Sequence, residues 1–313
     1  MASELLKPPA RIGLVGLGQM GVPMARNLLK AGFALAVYDA SAQAVSDFCA
    51  ANPGVLAPDT LRELGEACEA VITMLPNGRI VREVVLDGED SLAAGMARGR
   101  LVIDMSSSSP VGTRELGALL AGRGIALVDA PVSGGVRRAV DGSLAIMAGG
   151  EDEAIERCAA LLAAMGEQVF RTGSLGTGHA MKALNNFVSA AGFAAAAEAV
   201  LAGTRFGLDP ATVVSVLNAS TGKNNSTENK FPQQVLSRKF AAGFSLGLMV
   251  KDLRTALEVA RATGMPAPMA EATVEEWARS EELLGPGADH TAMVRYVEHL
   301  AGSTISDGAV DPK

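Results

Sequence analysis

Lys182 and Asn186 stand four positions apart, just after a glycine-rich run from Gly173 to Gly178. Residues at that spacing share one side of a helix. A lysine there can take or give the proton that accompanies a hydride, and an amide beside it can hold the reacting molecule. The chemistry asks something unusual of the lysine, because an amine with an ordinary pKa of about 10.4 is a poor base near neutrality. Burial beside a second cation lowers that value. His179, three residues before Lys182, is read as a polar contact at the helix start or near a cofactor, and His290 and His299 as residues without chemistry. No His, Cys, Asp or Glu grouping has metal-ligand spacing, so no metal is expected.

A hydride needs a carrier, and the chain offers a site for one at its start. Gly16, Gly18 and Gly21, with Leu17, Gln19 and Met20 between them, form a GxGxxG pattern after an apolar run and before a helix over Pro23–Lys30. The first glycine permits a tight turn, the second lets backbone approach a pyrophosphate, and the third allows close helix–strand packing. The helix N-terminus then faces the phosphates. Asp39 closes the next strand, where a carboxylate accepts from both ribose hydroxyls and repels a 2′-phosphate. No Arg or Lys lies in residues 38–43, so the expected cofactor is NAD rather than NADP.

Other candidate residues also follow strands. Met74, Leu75 and Pro76 stand at the carboxyl edge of the sheet, where ligands of doubly wound folds bind, and are assigned to the cofactor. The serines between Asp104 and Pro110 either cap a helix starting at Pro110 or contact cofactor and substrate. Ser133, Gly134 and Gly135 set successive backbone N–H groups beside a hydroxyl, a pocket suited to a carboxylate.

These residues must be positioned by alternating elements. Strands are expected at Ile12–Leu17, Ala34–Tyr38, Ala70–Met74, Leu101–Asp104, Ala126–Val128, Leu144–Ala148 and Gln168–Arg171, with helices between most of them. That alternation predicts an α/β Rossmann domain with a doubly wound, mostly parallel sheet over residues 10–174. A long linking helix follows over 175–206, then an all-helical C-terminal domain over 207–302 and a flexible tail over 303–313. Helices are expected at Pro210–Ala219, Thr227–Leu236, Gly247–Ala262, Met269–Ser280 and Thr291–Ala301.

Composition fits that organisation. A chain of 313 residues is long for one compact core, and its 49% hydrophobic and 19% charged residues describe a globular protein. A net charge of −7, no basic block and 4% aromatics argue against nucleic acid as a partner. The opening residues lack a basic region followed by an apolar one, so no secretory signal is expected. The apolar stretch Ala190–Gly203 is short and interrupted by Glu198, which suits a buried helix rather than a membrane span. Cys49, Cys68 and Cys158 have no metal or redox spacing and are expected as free thiols in a reducing cytoplasm.

With these motifs in order, the chain resembles the β-hydroxyacid dehydrogenase family, which includes 3-hydroxyisobutyrate dehydrogenases and tartronate semialdehyde reductases. The likeness runs from Ile12 to about Ala260. It rests on Gly16–Gly21 with Met24 and Ala25, Asp104–Pro110, Asp129–Gly135, Gly173–Asn186, and Lys251 with Asp252 and Leu253. The resemblance implies that Lys182 is the catalytic acid/base and that Asn186 helps hold the substrate. It further implies that Ser133, Gly134 and Gly135 bind the substrate carboxylate and that Lys251 lies near both nicotinamide and substrate. The position of Ser107 is usually threonine in the family and contacts the cofactor; serine keeps the hydroxyl. A homodimer or homotetramer is implied, as is a loop from the helical domain facing the active site of the same or a neighbouring subunit. Here that loop, Asn218–Glu228, is unusually polar and contains Lys223. The expected reaction moves a hydride between NAD and a small, 3-hydroxyisobutyrate-like β-hydroxy acid. The loop is either a solvated surface loop or a reader of extra hydroxyls or an acid group, and the second would favour a polar hydroxy acid such as tartronate semialdehyde as the alternative substrate. Imine reductases share the architecture but usually lack the lysine and prefer NADP, and a non-catalytic cofactor-binding protein would have no need of Lys182.

Overall fold

The computed structural model describes residues 4–306, so the last part of the expected tail, 307–313, and the opening residues 1–3 lie outside the described residues. The chain forms two compact units, Met1–Lys182 and Ala183–Lys313. The division falls inside a single helix, Thr177–Phe206, rather than at a loop before it.

The first unit is built on a sheet of eight strands. Strands β1 (Arg11–Val15), β2 (Ala34–Tyr38), β3 (Ala70–Thr73), β4 (Leu101–Asp104) and β5 (Ala126–Asp129) run parallel in the order β2-β1-β3-β4-β5. Alternate residues serve opposite faces. Ile12, Leu14, Ile72 and Ile103 enter one apolar cluster. Val15, Val71 and Val102 enter another. Both faces are covered by helices, which is why these strands read as nearly continuous apolar runs. The order changes direction at β1, which lies between β2 and β3, so the loops after β1 and β3 flank the crevice used by ligands in such sheets.

The far side of the sheet is mixed. Strands β6 (Val132–Ser133) and β7 (Leu144–Gly149) pair antiparallel, and β8 (Gly166–Gly173) runs parallel to β7. The sequence reading did not anticipate β6 or the helix Gly135–Asp141 that follows it. Two residues between a proline and a glycine are too short to show a strand periodicity.

The second unit is helical throughout its described residues, apart from an isolated bridge between Ser245 and Asp289. Within the long helix, Ala190, Phe193, Ala197 and Val200 are fully buried at helical spacing. That helix is long and apolar enough to cross a membrane, yet this face enters the unit's own core. Phe193 packs on Phe231 and Trp277 with ring centroids 5.2 and 5.9 Å apart. Helix starts are secured locally: the Asp209 carboxylate accepts from the Thr212 N–H, with Pro210 at the first helical position. The segment expected as an ordinary helix over Thr227–Leu236 is a π-helix, Ser226–Val235, with Pro232 inside it. A proline in an α-helix clashes with the carbonyl four residues back, and the wider winding accommodates the ring. The cysteines are free; Cys68 and Cys158 are buried and Cys49 half-buried. Burial pushes the Cys68 and Cys158 thiols up to about 12.

Candidate active site

The fingerprint loop is shaped by backbone contacts that exclude side chains. A Cβ at Gly16, whose φ is +105°, would lie 2.3 Å from the Met74 carbonyl oxygen. One at Gly21 would lie 1.8 Å from the Gly16 carbonyl oxygen. Gly18, in contrast, is exposed and has nothing within 4 Å of that position, which leaves room for a pyrophosphate. The helix Gly21–Lys30 has no side-chain cap and no acid in its first turn. Its first N–H groups therefore suit an anion. Asp39 binds this loop: its Oδ2 accepts from the Leu17 N–H at 2.7 Å and its Oδ1 from the Ser41 N–H at 2.8 Å. Ser41 caps the next helix by accepting from Ala44, so Asp39 is not required as a cap. These features fit a dinucleotide.

The serine-rich loop divides its labour. Ser106 Oγ accepts from the Leu75 N–H at 2.9 Å, tying the loop after β4 to the loop after β3. Ser108 Oγ donates to Asp104 Oδ2 at 2.7 Å. Ser109 caps the helix Pro110–Gly122 by accepting from Gly112. These are structural roles, whereas Ser107 stands half-buried between them at the carboxyl edge. Met74 and Leu75 are half-buried and Pro76 exposed in the adjoining loop.

Beneath this edge lies a buried polar cluster that the sequence reading missed. Asp104 and Asp129 end neighbouring strands and are in register. The Asp129 carboxylate accepts from the Gly176 N–H at 2.7 Å and the His179 N–H at 2.8 Å, at the start of the long helix. The His179 ring, fully buried, lies between the acids: Nε2 is 3.6 Å from Asp104 Oδ2 and Nδ1 is 3.8 Å from Asp129 Oδ2. Thr113 Oγ1 is 2.8 Å from His179 Nδ1 and donates its proton to the Ser109 carbonyl at 2.9 Å. With that single proton committed, the bond to the ring runs from Nδ1–H to the hydroxyl oxygen. Burial pushes the Asp129 carboxyl above its ordinary range, opposed by the charge of His179 and by the accepted N–H groups. The readable signal was a pair of acids, each closing an apolar strand, with a histidine in the glycine-rich run. Lys182 follows His179 by three residues and is half-buried.

Ser133, Gly134 and Gly135 link β6 to the helix Gly135–Asp141. Both glycines have positive φ, +132° and +68°, and both are exposed. Successive N–H groups in such backbone form a concave anion-binding feature.

In the second unit, Asp252 is the buried anchor. Asn186 Nδ2 donates to Asp252 Oδ2 at 2.6 Å, and Lys251 Nζ lies 3.3 Å from Asp252 Oδ1. One carboxylate thus orients both the amide and the ammonium. Lys223, the cation singled out in the polar loop, forms an ion pair with Glu228 at 2.7 Å with both side chains about half exposed (49% and 51%). Among the described residues no group of three or more His, Cys, Asp or Glu side chains is arranged to hold a metal.

Known proteins match this arrangement over almost the whole chain. Residues 11–173 match the NAD binding domain of 6-phosphogluconate dehydrogenase. Residues 176–297 match the family described as NAD-binding of NADP-dependent 3-hydroxyisobutyrate dehydrogenase. The chain is 33% identical to 2-(hydroxymethyl)glutarate dehydrogenase of Eubacterium barkeri, over 95% of this chain and 98% of that protein. It is 38% identical to 3-hydroxyisobutyrate dehydrogenase of Pseudomonas aeruginosa, over 82% and 88%. The solved Mycobacterium tuberculosis 3-hydroxyisobutyrate dehydrogenase with L-serine superposes with a TM-score of 0.84 at 32% identity, over 92% and 99%. Fold and matches together define an NAD-dependent oxidoreductase acting on a CH–OH group. The chain belongs to the β-hydroxyacid dehydrogenase family, whose reaction moves a hydride between NAD and a small hydroxy acid.

The buried cluster makes a stability prediction. His179→Leu keeps comparable volume but leaves Asp104 and Asp129 facing an apolar group, and is expected to lower unfolding free energy by about 3–5 kcal/mol. Urea denaturation followed by circular dichroism measures it. A loss below about 1 kcal/mol would mean that the ring contributes little.

Proposed function

We propose that Lys182 is the acid/base of a β-hydroxy acid dehydrogenase. The carrying observation is its position one turn after His179, whose N–H is fixed to Asp129 at the carboxyl edge of the sheet. NAD supplies the hydride acceptor when bound. In oxidation, Lys182 Nζ takes the proton of the substrate hydroxyl as the carbinol carbon loses its hydride. In reduction, the same ammonium returns the proton to the developing alkoxide. Ser133, Gly134 and Gly135 receive the substrate carboxylate through hydroxyl and backbone N–H groups. Asn186 orients the substrate, and Lys251 adds positive charge beside nicotinamide and substrate, with Asp252 holding both side chains.

The cofactor is assigned to Gly16, Leu17, Gly18, Gln19, Met20, Gly21, Asp39, Met74, Leu75, Pro76, Ser107 and Lys251. Asp39 supports NAD over NADP: its oxygens stand at the end of β2 beside the fingerprint loop, where a 2′-phosphate would meet a carboxylate. The free buried thiols fit a reducing cytoplasm. The long helix also carries apolar residues that its own unit leaves uncovered, Val188 at 68% and Phe206 at 89% exposure. We assign them to a homo-oligomer interface.

Lys182→Ala is expected to reduce turnover at least about a hundredfold while NAD affinity measured by calorimetry is retained. Turnover within tenfold of wild type would remove the assignment. Asp39→Ala should lower the NAD-to-NADP ratio of kcat/KM by about tenfold or more, and an unchanged ratio would refute the ribose contact. Sedimentation velocity at micromolar concentration should give a dimer or tetramer; a monomeric mass would contradict the interface.

A further inference from the structure

The two ends of the sheet are finished differently. At one end, β2 is five residues long and its outer side is covered. The Val37 N–H donates to the Leu56 carbonyl at 2.9 Å, and the Leu56 N–H to the Leu35 carbonyl at 3.0 Å. At the other end stands β8, eight residues long and the longest strand of the sheet. Among the described residues it pairs with β7 alone. Glu167, Gln168, Val169, Phe170 and Arg171 are consecutive and all exposed, and none is a proline. Val169 and Phe170 point to opposite faces and are 39% and 50% exposed. A long edge strand with exposed apolar side chains is a template for pairing with another chain.

The strand is also complementary to itself. Its charged residues are Glu167 and Arg171, placed symmetrically about Val169. A two-fold contact sets the same patch of both copies together, so two such strands run antiparallel and residues directly opposite share a face. With the axis at Val169, Glu167 of each copy stands opposite Arg171 of the other. Gln168 then faces Phe170, and Val169 faces its own equivalent. Slipping the register by one residue sets Glu167 against Phe170 or Thr172 and loses both charge pairs. Within its own chain the Arg171 guanidinium is tethered to Glu156, with Asp152 3.9 Å away, on the helix Asp152–Arg157. Its side chain nevertheless stays about half exposed (48%), so it is held beside the strand and open to a partner.

We propose that β8 pairs antiparallel with β8 of a second copy of this chain, about a two-fold axis at Val169, so that one sheet runs through both subunits. The charge pattern selects the occupant: a glutamate and an arginine at equal distances from one residue complement their own image. Pairing satisfies the outer backbone groups of β8, and Val169 and Phe170 lose water on the two faces of the joined sheet. The contact is separate from the surface of the long helix. Where both form, the assembly is a tetramer, and that count alone rests on the assignment of Val188 and Phe206 to an interface.

Cross-linking in the NAD-loaded full-length enzyme tests it. Val169→Cys treated with a short bis-maleimide should give a covalent pair of chains on a denaturing gel. Wild type, with Cys68 and Cys158 buried and Cys49 half-buried, sets the background. Leu56→Cys, at the covered end of the sheet and 42% exposed, sets the level reached by chance encounter. Adding Glu167→Arg to Val169→Cys places arginine opposite arginine and should lower the yield about tenfold. Adding Arg171→Glu instead should do the same with two glutamates. Both changes together present opposite charges again and should restore the yield, which the tether of Arg171 to Glu156 within one chain would not do. A Val169→Cys yield no higher than that of Leu56→Cys, or a combined variant that stays low, overturns the pairing. In sedimentation velocity Glu167→Arg should halve the wild-type mass. Tetramer to dimer would support both contacts, and dimer to monomer would support the β8 contact against the long-helix assignment. An unchanged mass overturns the β8 contact.

Discussion

The carboxylate of Asp129 fixes the start of the helix that carries Lys182. Its oxygens accept the Gly176 and His179 N–H groups, donors that a helix start otherwise leaves to water. A negative charge at that end is also favoured by the helix dipole. The approach is close enough to demand glycine: a Cβ at Gly178 would lie 2.2 Å from the Met147 carbonyl oxygen and 2.8 Å from that of Asp129. His179 then places its ring between Asp129 and Asp104, and Lys182 follows one turn later. The position of Lys182 is thus inherited from β4, β5 and β7, elements whose own order comes from buried apolar residues.

The same logic of close backbone approach governs the crevice between β1 and β3. Gly16 and Gly21 are required because main-chain oxygens occupy the space a side chain would need. Asp39 joins this construction through the Leu17 N–H. Asp39, proposed above to read the ribose, also shapes the fingerprint loop, so on that proposal cofactor preference and cofactor affinity are coupled there. Ser106 makes a comparable tie from the loop after β4 to Leu75, which leaves Ser107 held by neighbours that are themselves fixed.

The legible part of the molecule was the part whose signals are local. The parallel strands read directly because burial on both faces leaves long apolar runs, and Pro210, Asp209 and Ser109 mark helix starts by their own chemistry. The fingerprint, the serine loop, the glycine pair at Gly134 and Gly135, and the Lys182–Asn186 spacing all lie in short stretches. What escaped depends on residues brought together from distant positions. Asp104, Asp129, Thr113 and His179 meet only because β4 and β5 are adjacent. The π-helix was read as an ordinary helix, since composition does not distinguish the windings. The polar loop drew attention to Lys223, the more conspicuous lysine in sequence, whereas packing turns Lys230 inward.

Carboxylates do the fixing throughout: Asp39 holds the fingerprint loop, Asp129 the start of the long helix, and Asp252 the Asn186 amide and the Lys251 ammonium. Lys230 sits on a π-helix whose start is fastened to the long helix by Asn224 and Ser226, and its side chain lies against Ser189 and Phe193. The Asn186–Asp252–Lys251 arrangement is held separately, by one buried carboxylate.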